Sequence, residues 1–319
     1  MSKPTIYSSR ELAKVLDLGA LPALDGTAFE NKSSAKVSAR APGTVPVVSA
    51  FYQKNLSALG WELVPDPETK NTDEYASLRF AKNGHRASLT FSDYDISKEK
   101  GPQTLVSMTF HGNLDTRTLP SPVGNQVLLA SQTTTSYLTE ATVADAALWV
   151  PNALAAEGWQ MFATFDAVQK KTGEPRTLTF RKQGYALSIF IGMNPRFKKT
   201  HFQYSVSALG HELPTPPDAA KVQFDDVRWK LSCEVPGDWK AAADFYQKAM
   251  PATGYQPLPG EDPRPTYSNL RFGTEAGDLI MVQVSSKDRQ ITQVNIYGIS
   301  AAVLAAMKKR DDEKKSSKK

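Results

Sequence analysis

Phe51-Tyr52-Gln53-Lys54-Asn55-Leu56-Ser57-Ala58-Leu59-Gly60-Trp61 comes back as Phe245-Tyr246-Gln247-Lys248-Ala249-Met250-Pro251-Ala252-Thr253-Gly254-Tyr255. A looser copy stands between them, running from Trp149 through Pro151 and Asn152 to Gly158-Trp159. In every copy a large aromatic precedes a glycine by nine residues, and a second aromatic follows that glycine. Upstream, Leu21-Pro22, Leu119-Pro120 and Leu213-Pro214 open the three stretches 39, 39 and 41 residues before those glycines. Self-similarity at a fixed period constrains architecture more than any local pattern does.

The repeats divide the 319 residues into units at 21–118, 119–212 and 213–300, with a short helix in 1–20 and a tail at 301–319. Each unit is close to the commonest domain size and long enough to bury a sheet face against a helix. In the third unit, Val227–Val235 reads as a strand with Trp229, Leu231, Cys233 and Val235 in alternation. Asp238 caps a helix over Trp239–Thr253, and Gly254 ends it. A short strand follows the Gly-aromatic pair, then three more at Tyr267–Phe272, Leu279–Ser285 and Ile291–Ile296. The same order holds in the other units, with Asn83-Gly84 marking a tight hairpin in the first.

The expected fold class is therefore α+β: three tandem β-α-β-β-β-β units, each one helix packed on a curled antiparallel sheet of four or five strands, cystatin-like in outline. Phe51, Gly60, Trp61, Trp149, Gly158, Trp159, Phe245, Gly254 and Tyr255 are read as structural, because they recur at the same place in the fold. Ahead of the units, Ser8-x-x-Glu11 is a capping box for a helix over Ser8–Leu18.

The net charge of +5 is misleading, since 301–319 alone carries seven Lys or Arg against three Asp or Glu. A nearly neutral body speaks against a nucleic-acid protein with a broad basic face. The tail at 308–319 is too polar to bury and reads as a solvated, disordered segment, with contact to an anionic surface as the alternative. No apolar run is long enough to span a membrane, and no signal segment is visible at Met1–Asn31. Cys233 is the sole cysteine, which removes intramolecular disulfides and thiolate zinc sites.

Catalytic motifs are missing: there is no phosphate-binding loop, G-x-S-x-G or H-E-x-x-H. No catalytic residue, metal site or cofactor is assigned. Asp93-Tyr94-Asp95 and Asp225-Asp226 lack the glycine and distal Glu of a calcium loop and read as solvated. His85 follows a turn and reads as exposed. His111 and His211 stand at strand ends beside Gly112 and Gly210, at unit junctions. Arg196, Phe197, Lys198, Lys199 and His201 form the best basic patch, with Lys170, Lys171, Arg181 and Lys182 in the same unit. An aromatic among cations suits phosphates or single strands, and is also what a hairpin tip looks like.

The succession Leu-Pro, strand, aromatic-Tyr-x-Lys helix, Gly-Trp, Leu-x-Phe strand and Lys-x-Gly hairpin (Lys82-Asn83-Gly84, Lys182-Gln183-Gly184) resembles an uncharacterised tandem-repeat α+β domain family of bacterial, often envelope-associated, proteins. The third unit departs from it by lacking the Lys-x-Gly turn, and the second by replacing Phe-Tyr-x-Lys with Trp149-Val150-Pro151-Asn152. The resemblance implies a non-enzymatic interaction or scaffold module of the cell envelope or exterior, binding a protein or envelope component. A cytoplasmic location is the expectation if the chain is complete as written. The competing expectation is a small-molecule binder or hydrolytic enzyme with a cleft between units, built on His111, His211 and the 196–201 loop.

Overall fold

The Gly-aromatic pairs are helix stop signals of one design. The computed structural model describes residues 5–65, 71–94, 101–164, 175–259, 266–288, 290–301, 303–305 and 307. After α1 (Ser9–Val15) come β1 (Ala28–Lys32), β2 (Lys36–Pro42), α2 (Val45–Ala58), β3 (Glu62–Val64), β4 (Tyr75–Lys82), β5 (His85–Asp93) and β6 (Gln103–Gly112). At the end of α2, Gly60 takes φ +77°, its N–H donates to Ser57 O at 2.9 Å, and Trp61 N–H donates to Leu56 O at 3.0 Å. This is a Schellman closure, in which a left-handed residue satisfies orphan carbonyls and the next side chain folds inward. Trp61 is buried and meets Phe110 edge-on at 5.9 Å. Truncating a buried Trp of this kind costs about 3–5 kcal/mol.

The second repeat holds β7 (Gln126–Ala130), β8 (Thr134–Thr139), α3 (Val143–Ala156), β9 (Gln160–Phe162), β10 (Arg176–Lys182), β11 (Tyr185–Asn194) and β12 (Lys199–Ala208). The third holds β13 (Ala220–Asp225), β14 (Lys230–Pro236), α4 (Trp239–Ala252), β15 (Gln256–Leu258), β16 (Tyr267–Gly273), β17 (Leu279–Ser286) and β18 (Ile291–Ile299). Gly158 and Gly254 repeat the closure, with Trp159 N–H reaching Leu154 O and Tyr255 N–H reaching Met250 O. Lys82 Nζ donates to Leu59 O at 2.7 Å and Lys182 Nζ to Glu157 O, so the hairpin lysine caps the helix C-terminus from a neighbouring strand. A cation there also complements the helix dipole.

Each repeat folds into a six-stranded antiparallel sheet of one order: β1-β2-β6-β5-β4-β3, β7-β8-β12-β11-β10-β9 and β13-β14-β18-β17-β16-β15. The fold class is α+β, as the sequence indicates, but the sheet is larger than expected from it. The added strand is the first of each repeat. It lies at the sheet edge with only one neighbour to support it, and in β1 and β7 no apolar alternation marks it, whereas β13 buries Val222 and Phe224. All five residues of β7 are exposed, and β1 is exposed at four of five. The strand read over Val227–Val235 is also shorter, since 226–229 is a turn and Trp229 has φ +51°.

Backbone packing divides the chain into two compact units: Met1–Met161 with Val168–His211, and Phe162–Ala167 with Glu212–Lys319. In the first, a continuous apolar cluster runs from Leu12 to Ala208, so two repeats share one core. Ser8 and Glu11 form the expected capping box, and Leu12 and Leu16 of this segment are buried. Tyr7 O accepts from Gly184 N–H at 3.0 Å, and a Cβ on Gly184 would lie 2.4 Å from Ser9 N. Tyr185 Oη donates to Asn113 Oδ1 at 2.5 Å. His85, expected on the surface, is buried at 7 % exposure, because Tyr7 and Phe110 lie on its ring.

In the second unit α4 lies against β15–β18, and Cys233 of β14 is buried. Ala163 bridges in parallel to Gln223 within this unit, its N–H donating to Val222 O at 2.8 Å. Residues 301, 303–305 and 307 are helical, and the tail at 308–319 lies outside the described residues.

Candidate functional site

On each sheet one face meets the helix and the other carries most of the exposed strand residues, although Ser136 and Leu138 of β8 are buried on that second face. In the first repeat Ala87, Leu89 and Phe91 of β5 are buried, so Ser88 and Thr90 point to the open face. His111 of β6 is on that face too, half-buried. Its Nε2 lies 2.8 Å from Ser88 Oγ and its Nδ1 lies 2.7 Å from Val206 O. A carbonyl only accepts, so Nδ1 carries the proton, Nε2 is the acceptor, and Ser88 Oγ–H donates to it. Burial holds the imidazole below its usual pKa. The Val206 hydrogen bond opposes that shift, and the charges of Lys36 and Arg79 add to it. A neutral imidazole with an oriented tautomer facing a hydroxyl is the relationship between a base and a nucleophilic serine. Here a main-chain carbonyl takes the place a carboxylate holds in a triad.

His211 is half-buried beyond β12 and takes no part in this chain of bonds. Among the described residues no three His, Cys, Asp or Glu converge as metal ligands would. Asp225 Oδ1 accepts from the N–H groups of Val227 and Arg228, and Asp226 is buried rather than solvated. Asp95, Lys170 and Lys171 lie outside the described residues.

The expected basic patch is narrower than its sequence. Arg181 is buried, with Nη2 3.0 Å from Gln160 Oε1, and Lys182 is committed to the end of α3. Both are strand residues near the sheet's other end, so nearness in sequence to the loop does not bring them to it. Arg196, Phe197 and Lys198 remain at the β11–β12 hairpin tip. Asn194 Oδ1 accepts from Arg196 N–H and Phe197 N–H at 3.0 and 3.3 Å, and the Arg196 guanidinium stands 5.3 Å from the Phe197 ring centre. Lys199 pairs with Glu140 at 2.8 Å. His201 faces Phe190 at 5.8 Å, and burial lowers its pKa.

Of the recurring aromatics, Phe51 and Trp149 pack half-buried against the core, and Phe245 is half-buried with its ring edge-on to Tyr246 at 5.1 Å. The residue after each is the one fully enclosed: Tyr52, Val150 and Tyr246. Glycines and aromatics of the repeat signature thus serve the frame.

The open faces are not repeated. One row at matching register runs Asn31–Ser38–Ser107–Thr90–Ser77 across the first sheet. It is Leu129–Ser136–Gln203–Phe190–Thr177 in the second. In the third it is Gln223–Ser232–Asn295–Gln283–Asn269, where Gln293 donates to Ser232 Oγ and Ser232 to Asn295 Oδ1, both at 3.0 Å. Neither these rows nor Ser88 could be singled out in sequence. An outward serine carries no mark until register shows what lies beside it.

No protein-family model matches this chain, and no curated protein or solved structure matches it either.

Proposed function

We propose that the chain is a non-enzymatic interaction scaffold, holding chemically different surfaces on copies of one frame. The observation that carries this is the contrast between buried, recurring frame residues and the row that changes from hydroxyl to mixed apolar to amide at one register. Short uncharged donors and acceptors spaced across neighbouring strands suit a hydroxyl-rich polymer such as an envelope glycan better than a charged one. The family resemblance supports the envelope as the setting. Linked surfaces raise apparent affinity without new contacts. The experiment is retention of purified chain on immobilised bacterial cell-wall glycan. Thr90→Lys with Ser107→Lys, and separately Gln283→Lys with Asn295→Lys, should each weaken retention while leaving the melting temperature in place. Retention unmoved by both pairs would end the reading.

A second reading, hydrolysis at the junction of the first two repeats, is favoured by the Ser88 Oγ–His111 Nε2 distance of 2.8 Å. It requires Ser88 to be labelled by a serine-directed fluorophosphonate, with labelling lost in His111→Gln. An unlabelled Ser88 in folded protein leaves the pair as a structural pin.

A further inference from the structure

The register places several loops at one end of the second sheet. Asn194 pairs with Lys199 at the tip of β11–β12, while Gln126, first in β7, lies level with His201 through Leu138. The loop feeding β7 therefore emerges at the end where the hairpin protrudes. Val123 in that loop is 96 % exposed, and Met193 and Phe197 on the hairpin are 58 % and 42 % exposed. Arg196 and Lys198 share the hairpin with Met193 and Phe197, Lys199 begins β12 beside them, and Arg176 begins β10 at the same end. Among the described residues at this end, Glu140 is already bound to Lys199, and Asp145 accepts from the Thr142 hydroxyl at the start of α3. The tip is preformed: Asn194 fixes the turn through two backbone N–H groups, and Lys198 N–H closes it on Asn194 O at 2.9 Å. In the third repeat the matching hairpin, Ser286 to Gln290, carries no aromatic or methionine.

We infer that this end of the second repeat docks on an anionic lipid surface, with Phe197 and Met193 entering the headgroup boundary and Arg196, Lys198 and Arg176 meeting the lipid phosphates. Three exposed apolar side chains in water are an unfavourable surface for a folded protein to keep, and cations around them select a negative interface over a neutral one. An amphipathic cluster of this kind binds through apolar insertion and charge together, so neither alone suffices. A nucleic acid would use the same cations and has no place for Val123 and Met193.

Co-sedimentation of the full chain with vesicles of phosphatidylcholine, and of phosphatidylcholine mixed with phosphatidylglycerol, tests this. Binding is expected to the mixed vesicles and to weaken as salt rises. Phe197→Ala should lower partitioning about tenfold, and Arg196→Glu with Lys198→Glu should lower it further. Deleting 308–319 separates this site from the basic tail: the truncated chain is expected to keep the Phe197 dependence. Absence of binding to mixed vesicles at low salt overturns the inference. So does binding that vanishes with the tail and ignores Phe197→Ala. Because these substitutions are on the surface, unchanged near-ultraviolet circular dichroism accompanies every informative result. The glycan reading stands or falls separately, since its face substitutions touch none of these residues.

Discussion

At the scale of single residues, polar atoms inside the core separate frame from function. Tyr52 is buried in α2, its hydroxyl has no hydrogen-bond partner, and burial raises its pKa. A buried donor left unsatisfied costs more than its removal. Tyr52→Phe should therefore raise stability by about 1 kcal/mol in denaturant unfolding. His111 and His201 both have folded pKa values below the ordinary 6.5, from burial first in each case. Unfolding frees both rings to take up protons in acid. Their contribution is whole above that ordinary value and is lost as pH falls from it towards the folded values. Melting temperature should consequently fall on acidification below neutral, and His111→Gln should flatten part of that slope. An unchanged slope would show that His111 is protonated equally in both states.

Elements show the same signature serving different physics. Gly84 has φ +79° with open space around it, whereas Gly184 lacks a positive φ and has the N-terminal segment pressed on it. Gly84→Ala should cost about 1–2 kcal/mol from left-handed backbone alone. Gly184→Ala should instead displace residues 7–9 and make that segment sensitive to limited proteolysis, a response that Gly84→Ala does not give. Helix starts differ as well. Asp238 accepts from Lys240 N–H at 3.1 Å, while Thr44 makes no side-chain cap bond and α2 relies on an early proline. Asp238→Ala should cost about 1 kcal/mol, and Thr44→Ala should be close to neutral by thermal melting. Edge strands carry the third contrast. β1 has Glu30 and Lys32 on it, and β13 is covered by Ala163, but β7 exposes Val127, Leu128 and Leu129. An apolar edge is the place where chains associate when warmed.

For the whole molecule, three similar sheets resolve into two compact units rather than three. The first two repeats share a core and are tied by Tyr185 to Asn113 and by His111 to Val206 O. They should unfold as one cooperative block, so scanning calorimetry is expected to give two transitions. Tyr185→Phe should lower only one of them. A single transition, or three, would contradict this division.

Periodicity alone carried the architecture. The Leu-Pro openings, the helix over Trp239–Ala252 and the glycine stops were legible because backbone conformation and helix amphipathicity are written in local order. Edge strands were not, since one supporting neighbour imposes no alternation on β1 or β7. Nor was the burial of His85 or the meeting of Ser88 with His111. Both depend on which distant strands and segments come to lie side by side, and spacing along the chain holds no record of that. Sequence determined a frame written three times; only tertiary packing decided which repeats share a core and which outward side chains are brought together, because those contacts are made between residues far apart in the chain.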